Sequence, residues 1–464
     1  MAACAGHVDA TIEHDMDRDV NVDATASRSP SRRTLRDVVL ASLIGTTVEW
    51  YDFSIFSASS ALVFRTAFFP AVAPNLGILL TFLTYAVGFV ARPIGAVLCG
   101  HLGDRIGRKP VLLLTFLVMG LATVLMGTLP TYAAIGPAAP ILLVTLRCIQ
   151  GVALGGEFGG AALLTSETAP PDRRGLFASS AMVGLSAGIL LGSGVFAVIA
   201  WLPRPAFLSW GWRIPFLLSL LLVGLGIWMR TRIAETPAFQ QSRLEAPPPA
   251  APLLEVLRHS PKHLLLVFGA RAGETTQFNI SATFALHYAT QNLGVKPGLF
   301  LSTLTVANLV SLILIPAVGA LSDRIGRRPV ARLGGASALL FGFLFFPLQH
   351  SGSSWLIVLS VVLMIGVSSG LTNAVPGSWF PELFPVAYRY TGISVAYQMG
   401  TVAGGLTPAI VSLLFASYGI TAVAGYLTAA GLLITVCVSL LPETLARHRR
   451  WDVRSRAGNE RGEA

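Results

Sequence analysis

The sequence predicts an all-α polytopic membrane protein: twelve transmembrane helices in two pseudo-symmetric six-helix bundles. Three observations predict it. The 464 residues are 53% apolar and only 12% charged, half the charge of an ordinary soluble chain. Mean hydropathy is +0.67, so there is too little polar surface to clothe a soluble body of this size. A charged loop motif occurs twice, 219 residues apart. Soluble enzymes, secreted disulfide scaffolds and disordered proteins are excluded. A membrane β-barrel is excluded as well, because the apolar runs are continuous over about 20 residues instead of alternating over about 10.

Residues 1–37 read as a polar cytoplasmic tail with no cleavable leader, since Asp9, Glu13, Asp15, Asp17 and Asp19 occupy its start and no apolar core follows. The first bundle, 38–232, holds helices at 38–64, 76–102, 110–130, 139–166, 175–202 and 212–230. A linker at 233–261 carries the run Pro247-Pro248-Pro249 and reads as a cytoplasmic loop. The second bundle, 262–443, holds helices at 262–292, 298–321, 330–349, 354–379, 389–417 and 420–442, and 444–464 is a short cytoplasmic tail. The net charge of +10 is mostly a topology signal. With both termini inside, 26 of the 33 basic residues fall on the cytoplasmic side. No nucleic-acid partner is needed to explain the charge. The four cysteines, Cys4, Cys99, Cys148 and Cys437, have no C-x-x-C spacing, so neither disulfide nor metal nor cofactor is expected.

The repeat carries the next inference. The run from Gly100 to Pro110 includes Asp104, Arg105, Arg108 and Lys109. It recurs from Gly319 to Pro329 with Asp323, Arg324, Arg327 and Arg328. Glu167 and Arg174, seven apart, recur as Glu382 and Arg389, also seven apart. Two elements repeating at nearly one spacing indicate duplication of a six-helix unit, the plan of transporters with a binding site between parallel halves. A short interhelical loop needs Gly to turn. Asp104 can face the positive end of a neighbouring helix, and Arg105 and Arg108 can meet carboxylates of the other half. Such contacts would shut one side and break on opening. Topology alone is the rival explanation for one such loop, but two equivalent copies favour the gate.

These loops resemble the signature of the major facilitator superfamily, and the resemblance extends to its metabolite:proton symporter branch. It rests on Gly45 with Glu49-Trp50-Tyr51-Asp52-Phe53, Arg92-Pro93-Ile94-Gly95, Arg147-Cys148-Ile149-Gln150-Gly151 with Gly155-Gly156-Glu157, and Pro381-Glu382-Leu383-Phe384-Pro385 with Arg389 and Gly392. It covers about residues 36–443. It implies proton symport of a small organic acid, zwitterion or osmolyte, in a bilayer of the cell membrane. Phe56-Ser57 stand where Tyr-Gly is usual. The short tail has no heptads, which argues against the coiled-coil osmosensing subtype.

Ionisable residues inside membrane helices are costly and are functional candidates by default. Here they are Glu49, Asp52, Arg92, Arg147, Glu157, Arg271 and Glu274. Glu49 and Asp52, three apart, share a face of the first helix, so one of them is expected to hold a proton. Permanent pairing with an arginine is the alternative. Arg92, 12 residues before Asp104 and thus about 18 Å above the loop, is placed to bind a substrate carboxylate or to neutralise an acid. Arg147 and Glu157 are ten apart and out of phase, so each needs a partner from another helix. The resemblance implies that Arg147 acts in proton coupling. Arg271 and Glu274, three apart, form either a local pair or part of the cavity. Tyr51, Asn279 and Gln398 offer neutral hydrogen bonds. Glycine stripes at 151/155/159 and 184/188/192 permit close helix approach.

The expected activity is proton-coupled uptake by alternating access, and a monomer is expected. Proton-driven export by the same fold is the alternative. The fifth helix lacks the proline of the exchanger pattern G-x-x-x-G-P, which favours symport. A membrane enzyme is disfavoured because no H-E-x-x-H, G-x-S-x-G or P-loop pattern occurs. A nutrient sensor would need a longer appended domain than these tails supply.

Overall fold

The computed structural model describes residues 32–70, 74–199, 201–231 and 251–445. Most of both expected tails, and most of the expected loop 233–261, lie outside these residues; residues 32–37, expected in the first tail, already belong to the first helix. Among the described residues there is no strand. Helix α1 runs Arg32–Ser59 and continues through a π turn at Ser60–Phe64 to Phe68. Helix α2 comprises Pro74–Val90 and Arg92–Ile106; α3 is Arg108–Thr128; α4 is Ala138–Leu154 with Glu157–Thr168. Helix α5 is Arg174–Ala178 with Ser180–Ile199, and α6 is Ile214–Thr231. In the second half, α7 runs Pro261–Asn279 and continues through a π turn at Ile280–Phe284 to Gln291. Helix α8 is Pro297–Ile325, α9 is Arg327–Gln349, and α10 is built from Ser354–Val361 through Pro376–Glu382. Helices α11 and α12 share Arg389–Leu440 and part at Gly419, whose φ of 73° no β-carbon-bearing residue adopts readily.

Among the described residues nine helices are long and apolar enough to cross a membrane, the fused α11–α12 being one of them. The two that miss are α1 and α7. They are the equivalent first helices of the two halves, and each carries acidic or basic residues at mid-length: Glu49 and Asp52 in α1, Arg271 and Glu274 in α7. They cross nonetheless, because they turn those groups inward, where all but Glu274 are at least nine-tenths buried and the Glu274 side chain is 13% exposed.

Local chemistry explains the breaks. Pro93 cannot donate to the carbonyl four residues back, so α2 restarts at Arg92. Adjacent Gly155 and Gly156 interrupt α4 and put Glu157 at the start of its second segment. The two signature turns pivot on Gly107, φ 110°, and Gly326, φ 109°, the same spacing of 219 that the repeat predicted. The linker is not wholly irregular: Pro252–His259 forms a helix, started by Pro252 and anchored by buried Val256.

The two halves meet along α2 against α11 and α5 against α8. These seams have no room for side chains. A β-carbon on Gly103 would lie 1.9 Å from the Tyr390 ring, and one on Gly319 would lie 2.6 Å from the Gly175 carbonyl. The other glycine stripes act within the first half. Gly184, Gly188 and Gly192 seat α5 on α1, while Gly151 and Gly155 seat α4 on α2; Gly159 alone reaches across, to Ser394.

Candidate functional site

Three layers of polar groups cross the molecule. The first is the closure at the signature loops. Asp104 accepts from the backbone N–H groups of Tyr390, 3.3 Å, and Thr391, 3.0 Å, and from the Thr391 hydroxyl, 2.7 Å. It thereby caps the exposed start of α11. Asp323 does the same for α5, accepting from Gly175 N, 2.7 Å, and Leu176 N, 3.0 Å. Unsatisfied N–H groups and the helix dipole both favour a carboxylate there. Arg327, fully buried, holds Asp323 at 2.7 Å and approaches Glu382 at 3.8 Å, both in its own half. An ion pair that spans the halves joins Arg389 to Glu167 at 3.0 Å. Arg174 interacts with Glu382 in the equivalent place. Arg105 and Arg324 are exposed, and the side chain of Arg108 lies outside the described residues. Gly100 packs against Thr391. Tyr390, fully buried, donates to the Gly156 carbonyl at 2.8 Å, and Gln398 donates to Leu154 O at 3.2 Å. Both bonds again run between halves.

The second layer lies inside the first half. The Asp52 carboxylate accepts from Thr123, 2.6 Å, and Ser219, 2.7 Å. Gln150 donates to the Thr123 hydroxyl at 2.7 Å, and Arg147 donates to the Gln150 carbonyl oxygen at 2.5 Å. Arg147 and Asp52 are thus linked through one amide and one hydroxyl. The Arg147 guanidinium also lies over Phe56, 3.9 Å from its ring centre, the position where the family pattern has Tyr. The expectation that Glu49 and Asp52 act on each other as neighbours needs correction. Three residues apart, they diverge by about 60° on the helix. Glu49 turns to Arg92 at 3.4 Å, both buried, while Asp52 turns to α3 and α6. Tyr51 points elsewhere again, donating to Pro215 O of α6 at 2.8 Å. Glu157 is buried beside Cys99.

The third layer is a cleft between the halves. Trp50, Phe53 and Phe89 form its wall from the first half; their rings pack with centroids 5.1 to 5.3 Å apart. Arg271, Glu274, Asn279, Asn308 and Asn373 are among its lining residues from α7, α8 and α10. Arg271 binds Glu274 one turn away, and Asn373 donates to Glu274 at 3.0 Å. The Arg271 guanidinium stands 4.1 Å from the Tyr397 ring centre. Tyr397 stacks on Phe158 of the other half at 3.7 Å, which places an aromatic plug between the cavity and the closed seam. Arg92 lies within electrostatic reach of Arg271 and Tyr397.

Of the residues singled out as binding candidates, Arg271, Glu274 and Asn279 line the cavity. Tyr51, Arg92 and Gln398 do not line it. Thr123, Ser219 and Thr391 were missed, because lone hydroxyls are common in membrane helices and carry no signal of their own. Asn308 and Asn373 were legible in principle, as amides in apolar helices.

Two family models match in succession: that for sugar (and other) transporters over residues 38–264 and that for the major facilitator superfamily over 264–461. The chain is 40% identical to the shikimate transporter of Escherichia coli (strain K12), over 90% of this chain and 96% of that one. It is 32% identical to the proline/betaine transporter of the same organism, over 82% of this chain and 78% of that one. Its fold is similar to that of the proton:xylose symporter XylE bound to 6-bromo-6-deoxy-D-glucose, with a TM-score of 0.73 at 17% identity, over 89% of this chain and 97% of the other.

Proposed function

The chain belongs to the major facilitator superfamily, and from that premise we propose that it takes up a small organic anion or zwitterion together with a proton. It is a multi-pass membrane transporter and not an enzyme. The relatives named for shikimate and for proline and betaine all carry compounds with a carboxylate, which agrees with a guanidinium in the cavity wall.

The observation that carries the coupling is the separation of two charged sites on one rigid frame. Asp52 is buried at 1% exposure and meets hydroxyls where a charge partner would otherwise stand. Arg147 reaches it only through Gln150 and Thr123. A carboxylate so placed can hold or release a proton without disrupting an ion pair. The residue three positions before it, Glu49, is tied to Arg92, which lies near Arg271 at the cavity. Helix α1 therefore links a proton site to a substrate site. With the signature loops on the cytoplasmic side of the cell membrane, the closed seam is the inner gate and the cavity is the outward-facing binding site. Substrate and proton load from outside, the halves rock, and the caps on α5 and α11 break to release both. The role is that of a monomer.

The test is transport into proteoliposomes with an imposed pH gradient, acidic outside. Concentrative uptake that a protonophore abolishes supports symport. Uptake indifferent to the protonophore refutes coupling, and efflux driven by the same gradient means exchange.

A further inference from the structure

The two hydroxyls that meet Asp52 are not equivalent. Thr123, on α3, places its hydroxyl 2.6 Å from one Asp52 oxygen and 3.0 Å from the carbonyl of Met119, one turn back on its own helix. A threonine hydroxyl has a single hydrogen and a pair of acceptor positions, so it serves one of these oxygens at a time. The Gln150 amide fills one acceptor position at 2.7 Å, and the other can take a further donor. Ser219, fully buried on α6, lies 2.7 Å from the other Asp52 oxygen. Among the described residues its hydroxyl has no second acceptor.

This geometry fixes what happens when Asp52 gains a proton. With Asp52 charged, Thr123 and Ser219 each donate to one oxygen, and Gln150 donates to Thr123. A proton on the oxygen that faces Thr123 donates in turn to the threonine oxygen, and the threonine hydrogen rotates to the Met119 carbonyl. Ser219 and Gln150 keep their bonds, Arg147 keeps Gln150, and no polar hydrogen is stranded. A proton on the oxygen that faces Ser219 turns the serine hydrogen away with no acceptor to meet it, and a buried donor so stranded costs about 1–3 kcal/mol. Among the described residues the ionisable groups within electrostatic reach of Asp52 are Arg147 on α4 and Tyr51 on α1 itself, the latter turned to Pro215 O. Helices α3 and α6 face the acid with Thr123 and Ser219.

Resting on the reading of Asp52 as the proton site, we infer that Thr123 is the positioning residue for the transported proton: it donates to charged Asp52, accepts from protonated Asp52, and so directs the proton to the oxygen it faces. The proton comes from the external solution and forms one O–H bond on that oxygen. The threonine hydrogen stays on its own oxygen and only rotates. Because the second acceptor, Met119 O, belongs to the same helix as Thr123, loading and unloading need no movement of α3 against α1.

The experiment uses the full-length transporter in proteoliposomes, without substrate. Infrared difference spectra are taken between acidic and alkaline pH, and the protonated-carboxyl band that is lost in Asp52→Asn belongs to Asp52. That band should shift in Thr123→Val, which keeps the branched shape but neither donates nor accepts, and return to the parent position in Thr123→Ser. A second measurement does not depend on the valine variant folding. In NMR spectra of threonine-labelled parent protein in lipid, the Thr123 signal, assigned by its loss in Thr123→Ser, should move over the same pH range as the Asp52 band and stay still in Asp52→Asn. A band that titrates but keeps its position in Thr123→Val would overturn the inference, as would a shift that Thr123→Ser fails to reverse, or a Thr123 signal that stays still while the band titrates. Each of these leaves Asp52 as the proton site. If no titrating band is lost in Asp52→Asn, the proton site itself fails and the role of Thr123 with it.

Discussion

Asp104 and Asp323 each cap a helix that belongs to the other half, Asp104 the start of α11 and Asp323 the start of α5. The duplication thus produces a reciprocal pair of latches, and both are closed in the same state. Asp104 also takes the Thr391 hydroxyl, and the next seam residue, Tyr390, adds a bond to Gly156. Asp323 also shares an oxygen with Arg327.

Hydrogen bonds to a charged acceptor contribute about 1.5–3 kcal/mol. Asp104→Asn keeps the shape but removes the charge and one acceptor oxygen. It should shift the closed–open balance by about tenfold to a hundredfold. Hydrogen exchange reads this directly. The amides of Tyr390 and Thr391 should lose protection while those of Gly175 and Leu176 lose less, and Asp323→Asn should invert the pattern. Equal loss at both sites in both variants would mean that the caps do not act as separate latches.

The two acids of α1 should separate in their phenotypes. Glu49→Gln leaves Arg92 buried without its charge partner, and breaking such a pair costs about 3–5 kcal/mol. The purified variant should melt at a lower temperature. Asp52→Asn keeps one oxygen for one of Thr123 and Ser219 and turns its NH2 to the other, whose hydroxyl can rotate to accept, so its stability should stay within about 1 kcal/mol of the parent. Its defect should be in coupling: exchange of substrate across the membrane persists and ceases to depend on pH, while accumulation falls to equilibrium. A pH-dependent Asp52→Asn carrier would remove Asp52 as the proton site.

The span count and the loop motif were legible because both are written in the linear chain: long apolar runs and a charged repeat at fixed spacing. Even the turn glycines, Gly107 and Gly326, follow from the repeat. The site was half legible. Arg271, Glu274 and Asp52 stand out because a charge in an apolar helix is expensive. Their partners do not stand out. Nothing local to Thr123 or Ser219 says that both point at Asp52, since that depends on how α3 and α6 rotate against α1. Glu49 and Asp52 misled for the same reason: helical phase puts them on one face, and tertiary packing sends them to different neighbours. The helix-starting residues of α11 were missed because a cap is recognised from the acid and the helix end together, and here the two lie 286 residues apart.

The signature turns should tolerate no side chain. Gly107 and Gly326 have φ of 110° and 109° with ψ of 159° and 158°, an essentially glycine-only conformation that costs a residue with a β-carbon about 1–3 kcal/mol. Gly107→Ala and Gly326→Ala should each lower thermal stability by that amount, and additively, since the turns belong to different halves. Gly224→Ala is the control, because its β-carbon meets nothing within 4 Å and its φ is helical. Stability unchanged in both turn variants would show that the loop relaxes freely.

The seam at Gly103 offers a sharper test of what the closed state depends on. A β-carbon there would lie 1.9 Å from Cδ1 of Tyr390, well inside contact distance. The ring cannot swing away cheaply, because it is fully buried and its hydroxyl is bonded to the Gly156 carbonyl. Overpacking of this kind costs about 1–3 kcal/mol, and the strain is released by parting α2 from α11. Gly103→Ala should therefore hold the signature-loop side open. Cys99, buried one turn before it on α2, is the reporter, in a background with Cys4, Cys148 and Cys437 replaced by Ser. Its labelling by a small maleimide should speed up by about tenfold or more. Trimming the obstructing ring in Gly103→Ala/Tyr390→Val should restore slow labelling, because the smaller side chain gives the methyl group room. Slow labelling in the single variant would show that the seam absorbs a methyl without opening. Fast labelling that persists in the double variant would trace the effect to damage in α2 and not to the contact between the halves.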